Sequence, residues 1–439
     1  MDYGYQIRYY SSTNDLVLLD VPFIQIEYGQ KANDVGACSM LIPLEFWNSS
    51  LMTYGSFIEI WRYNPSVDSV QLVGQTCWFL YQWRVQIDKN QVELVFYDSN
   101  IFFKNRVMAF WKIVNQEFWQ SLVGANSYPN FGSGQFETLD DVQKYLVKYC
   151  FTYVGVDPIT DEDTRVMSTI IGNYAGLPFN SRVNPLIEIA PFNSAGITYP
   201  FYCVEEDTLL TALQRCATTS KNLGYPIEYR MKYIPFDDSS RGGSFLFENA
   251  VPSFGIDHSL NENLTLHADA GHLADVEIFS DYSQHANIVL VHGMELEQWF
   301  SYLGLASNSD GIDDYLTVTA QDTSYDLAQF VLGVTEVSIA APDDATASSF
   351  DFMEQYAIQQ LYSTYRPTVR LSGDIVQNQQ VMFFRDYNFL DTIRIEGYGL
   401  SFNAKVDKYT VTVDANGEKI RIPFDALTTI NEVTLSRNH

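Results

Sequence analysis

The residue types that usually carry chemistry are present, but their spacing is loose. Five of the six histidines fall between His258 and His292, at His258, His267, His272, His285 and His292. Such a group could ligate a metal or relay protons near neutral pH. His267 and His272 stand five apart, which suits neither one helix face nor one strand face. Histidines scattered over the surface and strand edges of one domain account for the group as well. Asp157, Asp161 and Asp163 share one acidic run, and Asp310, Asp313 and Asp314 share another. Neither run has the ligand spacing of a calcium loop, so both read as solvated loops. With 54 acidic residues a carboxylate pair for glycoside hydrolysis stays conceivable, but no pair stands out. The sequence has no Gly-x-Ser-x-Gly elbow, no phosphate-cradling loop and no His-Glu-x-x-His helix. The expectation is therefore no catalytic residue, no metal site and no cofactor: not an enzyme.

Cys38, Cys77, Cys150, Cys203 and Cys216 are odd in number and form no Cys-x-x-Cys pair. They read as reduced, mostly buried thiols of a protein made in a cytoplasm, not as a zinc site. The seven tryptophans, Trp47, Trp61, Trp78, Trp83, Trp111, Trp119 and Trp299, could stack on sugars. Tryptophans more often fill cores and subunit interfaces.

Composition narrows the partners. Aromatic residues make up 15% of the 439 positions and charged residues only 18%, against roughly 25% in an ordinary globular domain. Few charges and many rings suit a chain that buries large protein–protein surfaces. The formal net charge is −28, from 26 basic and 54 acidic residues. A basic groove for phosphates and docking on anionic lipid are excluded as the main theme. The start, Met1-Asp2-Tyr3-Gly4-Tyr5-Gln6, has no basic or apolar leader pattern, and no apolar run is long enough to span a bilayer. Neither a targeting segment nor a membrane association is expected.

The elements that would position these residues follow from hydrophobic period. The length suits about three domains. Residues 1–107 read as β-structure, with short runs at Val35–Pro43, Phe57–Tyr63, Cys77–Ile87 and Val92–Tyr97. Asp88-Lys89-Asn90 reads as a hairpin turn. Val92, Leu94 and Phe96 point to one face, while Gln91, Glu93, Val95 and Tyr97 make a mixed second face that suits a neighbouring layer or subunit. Such strands suggest a barrel or sandwich. Residues 108–205 read as mixed α+β. Thr138-Leu139-Asp140-Asp141 has capping-box spacing, and Leu139, Val142, Leu146 and Tyr149 follow at helical spacing. Residues 206–275 form a smaller helix-containing stretch, with Asp207 as N-cap and Leu209, Leu210, Leu213, Cys216 and Ala217 as its apolar stripe. In 276–439 the strand signal returns: Val276, Ile278 and Phe279 lead into Ala286–Val291, a continuous apolar run fit for a buried strand. Residues 305–347 read as a surface excursion and 349–366 as a helix. Asn416-Gly417 signals a hairpin. The predicted class is mainly β with α+β insertions.

The order of these segments resembles that of the central tail-hub (baseplate-hub) proteins of long-tailed bacteriophages, in particular siphophage hubs. Ala32–Pro43 looks like the family's strand running from a Gly to a Leu-x-Pro. Phe57–Arg62 with the later Gly74 looks like its next hairpin, and Leu139–Val147 and Glu206–Leu213 look like its two helices. Asp281–Gly293 resembles its Asn-x-Val-x-Val-x-Gly strand. Asp386–Ile393 looks like a loop that usually reads Leu-Gly-Asp-x-Val, although here Leu390 passes directly to Asp391 without the glycine.

The resemblance implies two tube-like β-barrels, 1–107 and 276–439, with smaller mixed domains attached. It further implies a structural homotrimer forming a pseudo-six-fold ring at the tail tip of a virion. That ring would join the distal-tail or tail-tube protein to a central spike or fibre, and would surround the tape-measure protein and the DNA. Acid-rich walls would repel duplex DNA over about 8 Å at physiological salt, so the DNA would pass the lumen without specific binding. The alternatives are a carbohydrate-binding receptor-recognition protein of a phage tail, suggested by the tryptophans, and a two-carboxylate cell-wall hydrolase.

Overall fold

The computed structural model describes residues 4–48, 52–64, 69–106, 138–151, 184–198, 208–237, 240–281, 288–295, 315–321, 336–340, 368–377, 381–397 and 399–429, with a few single positions between them. The fold is mainly β with α+β insertions, as the sequence predicts.

The first segment contributes β1 (Tyr5–Tyr10), β2 (Leu16–Leu18), β3 (Gln25–Lys31), β4 (Ala37–Pro43), β5 (Phe57–Asn64), β6 (Ser69–Leu72), β7 (Trp78–Gln86) and β8 (Gln91–Asp98). Their side chains alternate. Ile7 and Tyr9, Ile26 and Tyr28, Cys38, Met40 and Ile42, Ile58 and Ile60, and Val92, Leu94 and Phe96 all point into one core. The turn before β8 closes with Asn90 in the left-handed region (φ 52°), a conformation asparagine tolerates. Segment 21–24 curls this unit inward: Val21 N–H donates to Ile7 C=O and Ile24 N–H to Leu41 C=O.

The middle of the chain builds a second layer. Helix α1 (Leu139–Phe151) and helix α2 (Leu209–Asn222) pack on a sheet of β9 (Ile187–Ile189), β10 (Glu228–Ile234) and β11 (Ser244–Ala250). Strands β10 and β11 are antiparallel, and β9 runs parallel to β11. Leu139, Val142 and Leu146 of the first predicted stripe and the whole of the second are buried. Their N-termini differ from the prediction. The N-cap of α2 is Thr208, whose side chain accepts from Thr211 N–H, rather than Asp207, which lies outside the described residues. The carboxylates of Asp140 and Asp141 turn away from α1 toward the loop 193–196. This second layer docks on the outer face of the first segment through rings: Phe57 meets Tyr233 edge-on at 6.1 Å, and Phe79 lies tilted to Phe245 at 5.9 Å. The outward face of β7 is thus partly a layer contact, through Phe79.

The last segment supplies β12 (Leu266–His267), β13 (Leu273–Asp281), β14 (Ile288–Glu295), β15 (Tyr315–Gln321), β16 (Glu336–Ala340), β17 (Thr368–Ile375), β18 (Thr392–Gly397), β19 (Leu400–Lys405), β20 (Lys408–Asp414) and β21 (Gly417–Thr429). The expected excursion over 305–347 contains two of these strands, β15 and β16, which pair with opposite edges of β14. Of the helix expected over 349–366, only isolated positions are described, with Ala357 and Leu361 buried. The Asn416-Gly417 hairpin is present, joining β20 to β21.

The two β-rich ends are not separate bodies. Twelve strands form one sheet in the order β13-β17-β21-β20-β3-β4-β8-β7-β5-β1-β2, with β6 on β5. Among the described residues no strand path closes into a ring, so closed tubes are not what these ladders show. The link is β20 on β3, antiparallel from Lys408 opposite Lys31 to Val413 opposite Ile26. Gly29 makes the approach possible, because a Cβ there would overlap the carbonyl oxygen of Tyr409. One core then runs from Ile7 to Ala426. Gly29→Ala should therefore force β20 off β3 and lower stability by about 1–3 kcal/mol. Urea denaturation measures this, and an unchanged midpoint would contradict the close approach.

Candidate functional site

The side chains singled out by sequence are dispersed. Among the described residues no group of three or more His, Cys, Asp or Glu is placed to hold a metal ion. His272 Nδ1 accepts from the His267 backbone N–H at 3.0 Å, a local turn. His258 Nε2 lies 3.3 Å from Asp391 Oδ2. His285 and both acidic runs lie outside the described residues, as do Cys203, Trp111, Trp119 and Trp299. Cys38, Cys77, Cys150 and Cys216 are buried and form no disulfide among the described residues. Burial pushes the Cys38 and Cys77 thiols well above the ordinary range, which makes them inert. Trp78 is core, whereas Trp47 and Trp83 form a tilted pair 5.3 Å apart with Trp83 43% exposed. Among the described residues no helix is long and apolar enough to cross a membrane.

What the structure does bring together, and sequence spacing does not reveal, is a set of buried polar ties between distant segments. One of them closes the seam between β5 and the β20–β21 hairpin. Ile58 and Ile60 face the core, and the same face of β5 ends in Arg62. Its guanidinium grips Glu418 with two bonds of 2.8 Å each, and the two side chains are 6% and 8% exposed. The register places Tyr5 opposite Arg62. The Tyr5 hydroxyl donates to Glu418 and lies 3.1 Å from the Tyr28 hydroxyl. Burial first, and the Glu418 charge second, hold the Tyr5 phenol far above its ordinary pKa, so it stays a donor. The ring of Phe384 covers the guanidinium at 5.2 Å. Carboxylate, guanidinium and phenol therefore satisfy one another away from water.

A second tie uses the opposite face of β5. Glu59, almost fully buried, accepts from Tyr233 Oη (2.6 Å), Trp61 Nε1 (2.7 Å) and Tyr10 Oη (3.2 Å), with Arg8 at 3.8 Å. Tyr233 is on β10, so this carboxylate pins the α+β layer to the first segment. A third tie joins the layer to the last segment. Lys405 on β19 pairs with Glu228 on β10, and Glu228 also accepts from Ser253 Oγ (2.9 Å) and Phe254 N–H (2.8 Å). Beside it, Asp391 accepts from Ile256 N–H and Asn388 N–H, both at 2.7 Å. Here Leu390 adopts φ 76°, the left-handed conformation that glycine reaches freely. The first turn of α1 is the fourth tie. Asp140 accepts from the Ala195 and Gly196 amides (3.0 and 2.9 Å). Asp141 accepts from the Asn193 and Ser194 amides (3.2 and 3.0 Å). Lys144, buried beneath, reaches Asn193 Oδ1 at 2.6 Å.

Comparison with known proteins adds the following. No family model matches the chain, and no curated protein matches it. Among solved structures, the fold is similar to the tail protein from Neisseria meningitidis MC58, at 10% identity and TM-score 0.48, covering 96% of each chain. It is similar to the 43 kDa tail protein of prophage MuSo2 from Shewanella oneidensis, at 9% identity and TM-score 0.47, covering 95% of this chain and 98% of that one. It is also similar to prophage tail protein gp18 from Listeria monocytogenes EGD-e, at 10% identity and TM-score 0.44, covering 98% and 97%.

Breaking one side of a buried ion pair leaves the other charge uncompensated, whereas replacing both removes the desolvation cost with the bond. Arg62→Met alone should cost about 3–5 kcal/mol, and Arg62→Met combined with Glu418→Leu should cost clearly less than the two single changes added together. A double-mutant cycle in denaturant reads this directly.

Proposed function

We propose that the chain is a structural hub protein at the tip of a phage tail, and that no reaction belongs to it. One observation supports a mechanical role. The buried charged groups Glu59, Arg62, Glu418, Asp141, Lys144, Glu228 and Asp391 are engaged in tying segment to segment. Charges placed this way resist relative sliding of the layers, since shear would break bidentate and multiply hydrogen-bonded contacts in a low-dielectric interior. The order of hub-like segments along most of the chain gives that role its setting.

In this reading three copies assemble into a pseudo-six-fold ring, with segments 1–107 and 276–439, joined through β20 on β3, as the two β modules of each copy. The ring joins the distal-tail or tail-tube protein above to a central spike or fibre below, and the tape-measure protein and DNA occupy its channel. The net charge of −28 per copy lets duplex DNA pass without sticking. The protein's place is the virion tail tip, after synthesis in the host cytoplasm.

A second reading has its own observation. Exposed rings gather on the first segment, with Trp83 against Trp47 and Tyr54 edge-on to Tyr81 at 5.6 Å. Rings of this kind stack on sugars, so a carbohydrate-recognition role in the tail is the alternative.

Mass photometry of the full chain should give a species of three times the chain mass, and micrographs of the parent particle should show a ring at the tail tip. A strict monomer at high concentration, with no such ring, would remove the hub reading. Glycan binding abolished by Trp83→Ala would favour the alternative.

A further inference from the structure

Where β8 ends, Asp98 is fully buried at a meeting point of three walls. The first wall is residues 98–100. The second is the stretch 30–36, which includes the turn between β3 and β4. The third is β10 with α2. The side chain of Asn100 spans them, donating through Nδ2 to Asp34 C=O and accepting through Oδ1 from Met231 N–H, both at 2.8 Å. Ser99 Oγ donates to Met231 C=O. Asn33, in the left-handed conformation at φ 55°, completes the clasp. Its Nδ2 donates to Ile227 C=O (2.8 Å), and its Oδ1 accepts from Tyr229 N–H (2.9 Å). Its backbone C=O takes the Tyr229 hydroxyl (2.8 Å) and Gln214 Nε2 (3.1 Å).

Among the described residues the Asp98 carboxylate, which reaches this joint through Asn100, has no basic partner. Asp98 accepts from Asn100 N–H at 3.1 Å and packs on Gly36 so closely that a Cβ there would stand 2.7 Å from Oδ2. Gln30, itself taking the Tyr409 hydroxyl at 2.8 Å, is its side-chain neighbour. The titratable groups facing it are Asp34, Cys77 and Tyr409, with Tyr229 beyond Asp34. The adjacent ammonium, Lys31, is spent on Asp34 at 2.7 Å.

We propose that Asp98 is a proton-operated latch: as the neutral acid it lets the α+β layer close on the first β segment, and as the carboxylate it loosens that joint. Charging a group walled in by neutral donors and like-signed neighbours is unfavourable only while the joint stays shut, because opening lets water in. Consistent with this, burial lifts the Asp98 carboxyl from 3.8 to about 7, with Asp34 adding to the rise and the Gly36 and Asn100 amides opposing it. The sign follows from proton counting. Between those two values the closed form holds a proton that the open form has lost. The latch's contribution is therefore full below about pH 4, falls as pH rises, and is gone above about 7.

Hydrogen exchange of the full chain tests it. The opening equilibrium of amides on β10, after correction for intrinsic rates, should rise by up to about tenfold per pH unit from pH 5 to 7 and level off above. Asp98→Asn, which keeps shape and hydrogen bonding but carries no charge, should flatten that slope. A flat wild-type profile, or the same slope in the Asn variant, would overturn the proposal. Should the variant fail to fold, carboxyl-carbon NMR of the wild-type chain decides: titration near 7 supports the latch, and titration near 4 ends it.

Discussion

The pairing of β20 with β3 is the constraint on which the rest of the molecule depends. Without it the chain would carry two β-rich ends, each presenting a row of unpaired backbone donors and acceptors. Such edges invite pairing with foreign strands. Joining them inside one chain removes both liabilities and merges the two apolar faces into a single core. The junction needs close backbone approach, which Gly29 permits, and a fixed register, which the buried Arg62–Glu418–Tyr5 cluster supplies at its rim. A slip of one residue would turn Tyr28 and Val411 outward and bring polar neighbours into the core.

Around that junction the remaining layers are fastened in one style. Aromatic rings provide the contact area, and a few buried polar groups provide direction. Phe57, Phe79, Phe102 and Phe245 would allow the α+β layer to dock in several rotations, since ring contacts are tolerant of angle. Glu59, Asn33 and Asn100 accept only one, because each holds hydrogen bonds to backbone or hydroxyl groups at set positions on the other layer. A chain with so few charges thus invests a notable share of them at its internal joints. Asp98 has no counter-charge among the described residues, and it sits beside the joint made by Asn33 and Asn100.

Much of the local architecture is legible in the residues. The period-two alternation of Val92, Leu94 and Phe96, the turn at Asn90, the helical stripe from Leu139, and the Asn416-Gly417 hairpin all hold in the fold. Strands β1 and β3 escape notice because each is short and polar on its outward face, and Gly29 interrupts the second. The capping-box spacing at Thr138–Asp141 misleads. Its carboxylates find a loop more than fifty residues away, whose four amides offer stronger partners than the helix's own end. Strands β15 and β16 lie in a stretch whose Ser, Asp, Ala and Gly content hides them, and they exist because β14 offers two free edges.

The amino-acid order alone determined many of the element types and the low, acidic charge. These depend on neighbours a few positions apart, and local sterics and hydrophobic period act at that range. Which strand pairs with which, and which charge meets which, was decided only in three dimensions. Backbone donors on one strand edge are chemically the same as on any other, so nothing local says that β3 will choose β20. Arg62 and Glu418 stand 356 positions apart, and only the closed sheet brings them together. The weakened acidity of Asp98 likewise has no local signature, because it arises from burial beside Gln30, Asp34 and Gly36, more than sixty positions away in the chain.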